Sequence, residues 1–150
     1  MKKTMIKLLG LALICATLFS FSRIGGYSYT IHLNEKQLVQ YYVPSKNAVP
    51  NISLAQATVN DQLFVYFNEC GQIGTERKLS IRDEKDNILK EWQFANAAGE
   101  HTPMIFKAKE ILALKKNGSN KFKLYYASKR VSSGQLLATI DVANNLRARR

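Results

Sequence analysis

The chain has 150 residues and carries 22 lysine and arginine residues against 11 acidic ones, which gives a formal net charge of +11. This length suits a single domain that buries its own core without metal or disulfide support. The basic surplus favours anionic partners, while the lack of any zinc-finger, helix-turn-helix or RNP-like motif argues against nucleic acid.

Residues 1–22 have the three-part pattern of a secretory signal peptide. Three lysines give a basic start, and the apolar run Leu8–Phe21 follows them. That run is shorter than the roughly 20 residues that span a bilayer. Ser20 and Ser22 then place small side chains just ahead of a cut before Arg23. The sequence therefore predicts cleavage near Ser22/Arg23 and a periplasmic or secreted product with no transmembrane segment in the mature chain.

Two other fates of the leader compete with cleavage. A lipoprotein would be acylated at Cys15, but Ile14 is larger than the residue usually found before such a cysteine, and the apolar run continues beyond it. An uncleaved membrane anchor is the second alternative, because Ser-Phe-Ser is a weaker cleavage site than Ala-x-Ala. The pattern as a whole favours the cleaved, soluble product.

The rest of the chain reads as short strands separated by turns. Alternating apolar residues predict a first strand in Ser28–Leu33 and a second β-rich stretch in Leu38–Val43. A loop bracketed by two prolines leads to a brief edge strand, Ile52–Leu54. Leu63–Asn68 is the strongest β-forming segment and is followed by glycines.

The clearest hairpin comes next. Lys78–Arg82 alternates between apolar and polar residues, and the polar connection Asp83–Asn87 leads into a returning strand. On that returning strand, the large apolar residues Ile88, Trp92 and Phe94 are expected to face inward.

In the last third of the chain, the spacing of apolar residues changes once from a strand pattern to a helical one. Met104–Ala108 alternates as a strand, whereas Glu110–Lys116 fits a helix of one to two turns that a glycine ends. Phe122–Tyr126 and Leu136–Val142 then supply two more strands. Residues 144–150 read as a basic C-terminal tail.

These elements predict an all-β fold for residues 23–143, an antiparallel β-sandwich of seven to eight strands with one short helix before the penultimate strand. The order loosely resembles the immunoglobulin-like superfold, without its Cys–Trp–Cys signature, and such a resemblance implies no function. The residues on the apolar phase of their strands form the predicted core: Leu79, Ile81, Trp92, Phe94, Phe106, Phe122, Leu124, Tyr126, Leu136 and Ile140.

Basic residues form the first candidate binding surface. If the strand order is immunoglobulin-like, the Lys78–Arg82 strand lies beside the Lys121–Tyr125 strand, and their outward side chains share one sheet face with Lys90 at its edge. The members of this predicted face are Lys78, Arg82, Lys121, Lys123 and Tyr125. The alternative is that lysines on exposed strands maintain solubility and discourage edge pairing.

Aromatic residues form the second candidate surface. Phe64 and Tyr66 make the other face of the Leu63–Asn68 strand apolar as well. Leu38–Val43 has the same two-sided character through Val39, Tyr41 and Tyr42. An exposed aromatic patch would mark a partner site; the alternative is that loops or the tail cover it.

No residue pattern indicates catalysis or a cofactor, and the sequence predicts neither. The Asp83–Asn87 turn lacks the EF-hand spacing, and Asp and Asn are common in tight turns, so no metal site is predicted there. His32 and His101 each lack a second histidine at ligand spacing. Cys70 stands alone once the leader is removed, and we expect a buried, unreactive thiol rather than an intermolecular disulfide.

These observations predict an exported, non-catalytic binding or accessory module of the bacterial cell envelope. Its partner would be an anionic envelope component or another envelope protein. The alternatives are an enzyme whose site is assembled only in the fold, and a structural or adhesive subunit that polymerises through its edge strands. An enzyme should show a deep pocket with convergent polar groups, whereas a binding module should show a flat basic or aromatic face.

Overall fold

The structure is a computed structural model, and it describes residues 26–43, 48–117 and 119–143. The predicted leader, 1–22, and the predicted basic tail, 144–150, lie outside the described residues. Within the described part of the chain, no helix is long and apolar enough to cross a membrane.

Nine strands are present in the described residues: β1 (Tyr27–Leu33), β2 (Lys36–Val43), β3 (Asn51–Ser53), β4 (Gln62–Asn68), β5 (Lys78–Arg82), β6 (Ile88–Gln93), β7 (Met104–Lys107), β8 (Lys121–Ala127) and β9 (Gln135–Asp141). A short helix α1 (Ala108–Leu112) and a 3-10 helix (Ala113–Asn117) lie between β7 and β8. The predicted short helix before the penultimate strand is thereby confirmed. The glycine expected to end it lies outside the described residues.

The strands form two sheets. The first has four antiparallel strands in the order β2-β1-β4-β7, and the second has five in the order β3-β9-β8-β5-β6. In the second sheet only the β3–β9 pair is parallel. The predicted all-β sandwich, the β5–β6 hairpin and the edge position of β3 are confirmed, while the immunoglobulin-like resemblance stays a prediction.

The core lies between the two sheets because every second side chain of a strand points to the same face. Ile31 and Val65 of the first sheet and Leu124 of the second are fully buried on these inner phases. Two pairs of aromatic rings connect the sheets directly. Phe67 stacks on Tyr126 with ring centroids 4.0 Å apart, and Trp92 stacks on Phe106 at 4.5 Å.

The predicted core is confirmed for these buried residues: Leu79, Ile81, Phe106, Phe122, Leu124, Tyr126 and Ile140. The prediction for Leu136 was wrong, because this side chain is only partly buried and Leu137 is buried in its place. The cause is a register shift between β8 and β9, where Leu124 pairs with Ala138 but Tyr125 pairs with Leu136. The extra residue turns Leu136 to the outer face.

A second bulge, in β6, reverses the direction predicted for the side chain of Ile88. Ile81 pairs with Lys90, but Arg82 pairs with Ile88, so one residue of β6 is extra. Ile88 therefore faces outward and is 55% exposed, although it was expected to face inward. Trp92 and Phe94 keep the inner phase but are only partly buried, because β6 is the edge strand of its sheet.

Lys90 does not lie on the predicted basic face, because it shares the inner phase of Trp92, two residues further along β6. Its partner Ile81 is on the inner phase, and the ammonium of Lys90 forms an ion pair with Glu110 of α1 at 3.4 Å. Lys90 therefore lies beside Trp92 on the inner side of the sheet, at the open edge of the sandwich.

The expectation for Cys70 was also wrong, since its side chain is exposed. Glu69 continues the inner phase of β4 and takes the buried position, at 2% exposure, so the next residue turns outward. Cys70 also has a positive φ of 57°, which takes the chain out of the extended conformation. Its thiol donates a hydrogen bond to the backbone carbonyl of Gly26.

Candidate functional site

The predicted basic face is assembled on the outer side of the five-stranded sheet. β5 and β8 are antiparallel neighbours, in which Arg82 pairs with Lys123 and Ser80 pairs with Tyr125. Lys78 has the outward phase of Arg82 on β5, and Lys121 has the outward phase of Lys123 on β8. All five residues predicted from the sequence therefore share one surface.

Acidic side chains offset much of the positive charge on this face. The ammonium of Lys123 lies 2.9 Å from Oδ1 of Asp86, and that of Lys78 lies 3.3 Å from Oε1 of Glu91. The hydrogen bond between Lys123 and Asp86 lowers the pKa of Asp86 and raises the pKa of Lys123, so both stay charged near neutral pH. Two of the predicted anion-binding lysines are thus already paired with carboxylates.

Arg82 and Lys121 are the cations of the basic face that have no ion pair among the described residues. The guanidinium of Arg82 lies 4.2 Å from the ring centroid of Tyr125. The hydroxyl of Tyr125 in turn donates a 3.2 Å hydrogen bond to Asp86, which orients the ring. No carboxylate of the described residues is within ion-pair distance of Arg82.

The acidic turn between β5 and β6 is built from contacts within the turn. Oδ1 of Asp83 accepts the backbone N–H groups of Lys85 and Asn87, each at 2.9 Å. The hydrogen bond from the side-chain amide of Asn87, followed by these backbone bonds, lowers the pKa of Asp83. No group of three or more potential metal ligands lies together in the described part of the chain.

The predicted aromatic patch is assembled on the outer side of the four-stranded sheet. Phe64 and Tyr66 lie on the outward phase of β4, and Phe64 pairs with His32 of β1 and Ile105 of β7. Tyr42 of β2 is 63% exposed and Ile105 is 44% exposed. We call this surface the aromatic face: Tyr42, Phe64, Tyr66, Ile105 and His32.

The other two residues of the predicted two-sided β2 strand face the core. Val39 is buried, and the ring of Tyr41 lies 5.5 Å from the ring of Tyr29. Burial raises the pKa of the Tyr29 phenol, which donates a 2.7 Å hydrogen bond to the carbonyl of Leu137 in the opposite sheet.

A cleft of about 110 Å³ lies in the aromatic face. Its floor is β1, whose outward side chains here are the small Ser28 and Thr30. Ser28 pairs with Tyr42 of β2, and Thr30 pairs with Tyr66 of β4. Because small side chains on the middle strand lie between tyrosines on its two neighbours, a trough forms.

Polar side chains complete this cleft. Gln40 and Asn68 extend its walls, while Glu100 and His101, from the loop between β6 and β7, close one end. Sequence reasoning missed all of these polar lining residues. The only sequence feature that pointed to a cleft was the pair of small outward residues, Ser28 and Thr30. It could be interpreted only once the pairing of β1 with its neighbours was known.

Contacts within the protein hold the walls of the cleft in place. Gln40 donates a 3.1 Å hydrogen bond to the hydroxyl of Tyr42. The ring of Tyr66 meets that of His32 edge to face, with centroids 5.5 Å apart. Asn68 accepts the backbone N–H of Gly71 at 2.9 Å, which leaves its amide NH₂ as the group that can donate to a ligand.

A second cleft, of about 230 Å³, lies at the start of β5 and the end of β6. Arg77, Lys78 and Phe94 line it. Arg77 is 3% exposed and donates 2.9 Å hydrogen bonds to the carbonyls of Ala95 and Thr102. Burial lowers the pKa of its guanidinium. These contacts indicate that Arg77 anchors loops rather than presenting a charge to a ligand.

Comparison with known proteins does not assign the chain to a family or a function. No protein-family model matches the chain, and no curated protein is detectably similar to it in sequence. The functional argument therefore depends on the residues described above.

Proposed function

We propose that this chain is an exported, non-catalytic binding module of the bacterial cell envelope, and that it contacts its partner through the aromatic face. The observation that carries this proposal is the exposure of Tyr42 and Ile105, at 63% and 44%, on the same sheet face as Phe64 and Tyr66. Exposed aromatic and apolar side chains that share one sheet face are typical of interaction sites. The leader pattern in residues 1–22 supports the periplasm or the cell exterior as its place of work.

The size of the clefts supports binding rather than catalysis. The two clefts hold about 110 and 230 Å³, whereas small-molecule and catalytic pockets commonly hold roughly 300–1,000 Å³. A shallow face with protruding tyrosines is suited to contact with a larger partner. Tyrosine provides a large, rigid contact area and a hydroxyl that remains able to hydrogen-bond, and it is enriched at binding hot spots.

Cosedimentation with isolated cell envelopes tests the proposal. We expect the purified protein to sediment with envelopes, and we expect Tyr42→Ser combined with Ile105→Ser to weaken this binding about tenfold or more. The matched control is Ile88→Ser combined with Ile73→Ser, which removes two exposed isoleucines away from the aromatic face. Equal binding by both double variants would contradict the proposal.

The basic face is a second candidate for the contact with the envelope, and the stacking of Arg82 on Tyr125 favours it. A guanidinium held by a ring and not paired with a carboxylate can donate hydrogen bonds to a phosphate or carboxylate group of an anionic envelope component. Such binding should be salt-sensitive, because charges on the surface are screened beyond about 8 Å at physiological ionic strength.

Charge reversal distinguishes this candidate from a general effect of net charge. Arg82→Glu combined with Lys121→Glu should weaken binding to anionic lipid vesicles at low salt. Lys36→Glu combined with Lys85→Glu changes the net charge equally at exposed positions outside this face. Equal losses from the two double variants would mean that net charge alone is responsible.

A further inference from the structure

The cleft in the aromatic face has the width of a single ring. Tyr42 and Tyr66 stand on strands that flank β1 on either side, and neighbouring strands lie about 4.8 Å apart. The backbones that carry the two tyrosines are therefore separated by about 10 Å. A cleft of about 110 Å³ between such walls holds one ring of a ligand rather than a helix or a folded segment.

Four of the polar side chains in the cleft can donate and accept hydrogen bonds without carrying charge. Hydroxyls of Ser28 and Thr30 form the floor, and the amides of Gln40 and Asn68 stand in the walls. A hydroxyl or an amide serves as donor and acceptor at once. A ligand with several hydroxyl groups would match this lining.

An aromatic side chain of a protein partner matches the same cleft poorly. A phenyl ring over Ser28 and Thr30 would bury their hydroxyls without partners, and burying an unpaired polar group is costly. The charge of the cleft also bears on the ligand. The carboxylate of Glu100 lines one end, so an acidic ligand would be repelled there.

We propose that this cleft binds one pyranose ring of a neutral glycan. The C–H face of the sugar packs against the phenol rings of Tyr42 and Tyr66, whose π faces attract its weakly positive hydrogens. The sugar hydroxyls bond to the hydroxyls and amides of the floor and walls. This inference rests on the proposed function, since it names the ligand class of the same aromatic face.

Titration with uncharged trisaccharides tests this inference. The probes are maltotriose, cellotriose and chitotriose, added to the protein as purified from its host and followed by amide chemical shifts. We expect saturable shifts at Ser28, Thr30 and Asn68 with at least one probe. Because no charge pairing is involved, the affinity should change little between about 50 and about 500 mM salt.

Substitution of the tyrosines localises the binding. Tyr42→Ala and Tyr66→Ala should each raise the Kd about tenfold, whereas Tyr42→Phe keeps the ring and should raise it less. The matched control is Ile88→Ala, which removes an exposed apolar side chain from the outer side of the other sheet and should leave the Kd unchanged. Circular dichroism of each variant confirms that the sandwich is intact.

The outcomes separate this inference from the proposed function. If none of the three trisaccharides shifts these amides saturably, or if both alanine variants bind as the native protein does, the glycan inference is overturned. The proposed function would still stand in that case, provided that Tyr42→Ser with Ile105→Ser weakens envelope binding. If trisaccharides bind at the cleft but the Tyr42→Ser, Ile105→Ser double variant binds envelopes as tightly as the native protein, the proposed function fails instead.

Discussion

The phenol of Tyr126 donates a 2.6 Å hydrogen bond to Oε1 of Glu69, and both side chains are buried. Tyr126 belongs to β8 of the five-stranded sheet, whereas Glu69 directly follows β4 of the four-stranded one. The second oxygen of Glu69 is buried without a hydrogen bond from the described residues, and the nearest cation is Nε of Arg130 at 3.8 Å. This carboxylate therefore depends on Tyr126, and the bond connects the two sheets.

Removal of the Tyr126 hydroxyl should destabilise the fold. In Tyr126→Phe the ring can still stack on Phe67, but the buried carboxylate of Glu69 loses its donor. We expect the free energy of unfolding to fall by about 1–3 kcal/mol, measured by urea denaturation. Tyr27→Phe, on a partly buried tyrosine of β1, is the control and should change it by less than about 0.5 kcal/mol. A similar loss in both variants would contradict a specific role for the Tyr126–Glu69 bond.

Two buried tyrosines, Tyr29 and Tyr126, should make the fold less stable at alkaline pH. Burial raises the pKa of Tyr29 and of Tyr126, so the folded protein keeps both phenol protons after the unfolded chain begins to lose them near pH 10. The unfolded state then binds fewer protons, and the free energy of unfolding falls as pH rises. Each tyrosine should contribute a slope of about 1.4 kcal/mol per pH unit above about pH 10.

Denaturation curves between about pH 9 and about pH 11 measure this slope. Tyr29→Phe should reduce it, because phenylalanine has no proton to lose, and the comparison with the native protein cancels the titration of lysines. An unchanged slope in Tyr29→Phe would show that this phenol ionises equally in both states.

Trp92 connects the edge strand β6 to β7 and α1. It stacks on Phe106, and its indole N–H donates a 3.0 Å hydrogen bond to Oε2 of Glu110. Trp92→Ala should lower the free energy of unfolding by about 2–4 kcal/mol, toward the low end for large aromatic residues because Trp92 is only partly buried. Trp92→Phe keeps an aromatic ring there and should cost less. Equal costs would mean that the ring contact with Phe106 contributes little.

Cys70 should react readily with thiol reagents in the folded protein, in contrast to the behaviour expected from the sequence. Its side chain is exposed, and its hydrogen bond to the carbonyl of Gly26 does not cover it. We expect the labelling rate of the native protein to lie within about tenfold of that of the unfolded chain, since access to the thiolate controls the rate. Much slower native labelling would show that Cys70 is protected.

The leader pattern predicts a shortened protein in the native host. Mass spectrometry of the intact protein should find an N-terminus at or near Arg23, because Ser20 and Ser22 supply the small residues of the cleavage site. Replacing Ser22 with a bulky residue such as leucine should block processing. A product that retains residues 1–22 in the unaltered chain would contradict cleavage.

The two candidate surfaces differ in how far they could be predicted. Lys78 and Lys121 could be placed on a common face because the pairing of β5 with β8 followed from the assumed sandwich order, and the structure bears this pairing out. The carboxylates that pair with Lys78 and Lys123 could not be anticipated, since Asp86 reaches Lys123 only through the geometry of the turn. For the aromatic face, Phe64 and Tyr66 were evident from the two-sided strand, but the cleft beside them was not.

The alternation of apolar and polar residues is a local property of the chain, so the sequence by itself determined where the strands lie and which phase of most of them is buried, as for Ile81 and Leu124. Pairing between strands distant in sequence depends on the packing of both complete sheets. A single extra residue in a strand, as at the bulge that exposes Leu136, reverses the side chains beyond it. Only the tertiary structure could therefore place Thr30 beside Tyr66 and form the cleft between the tyrosines.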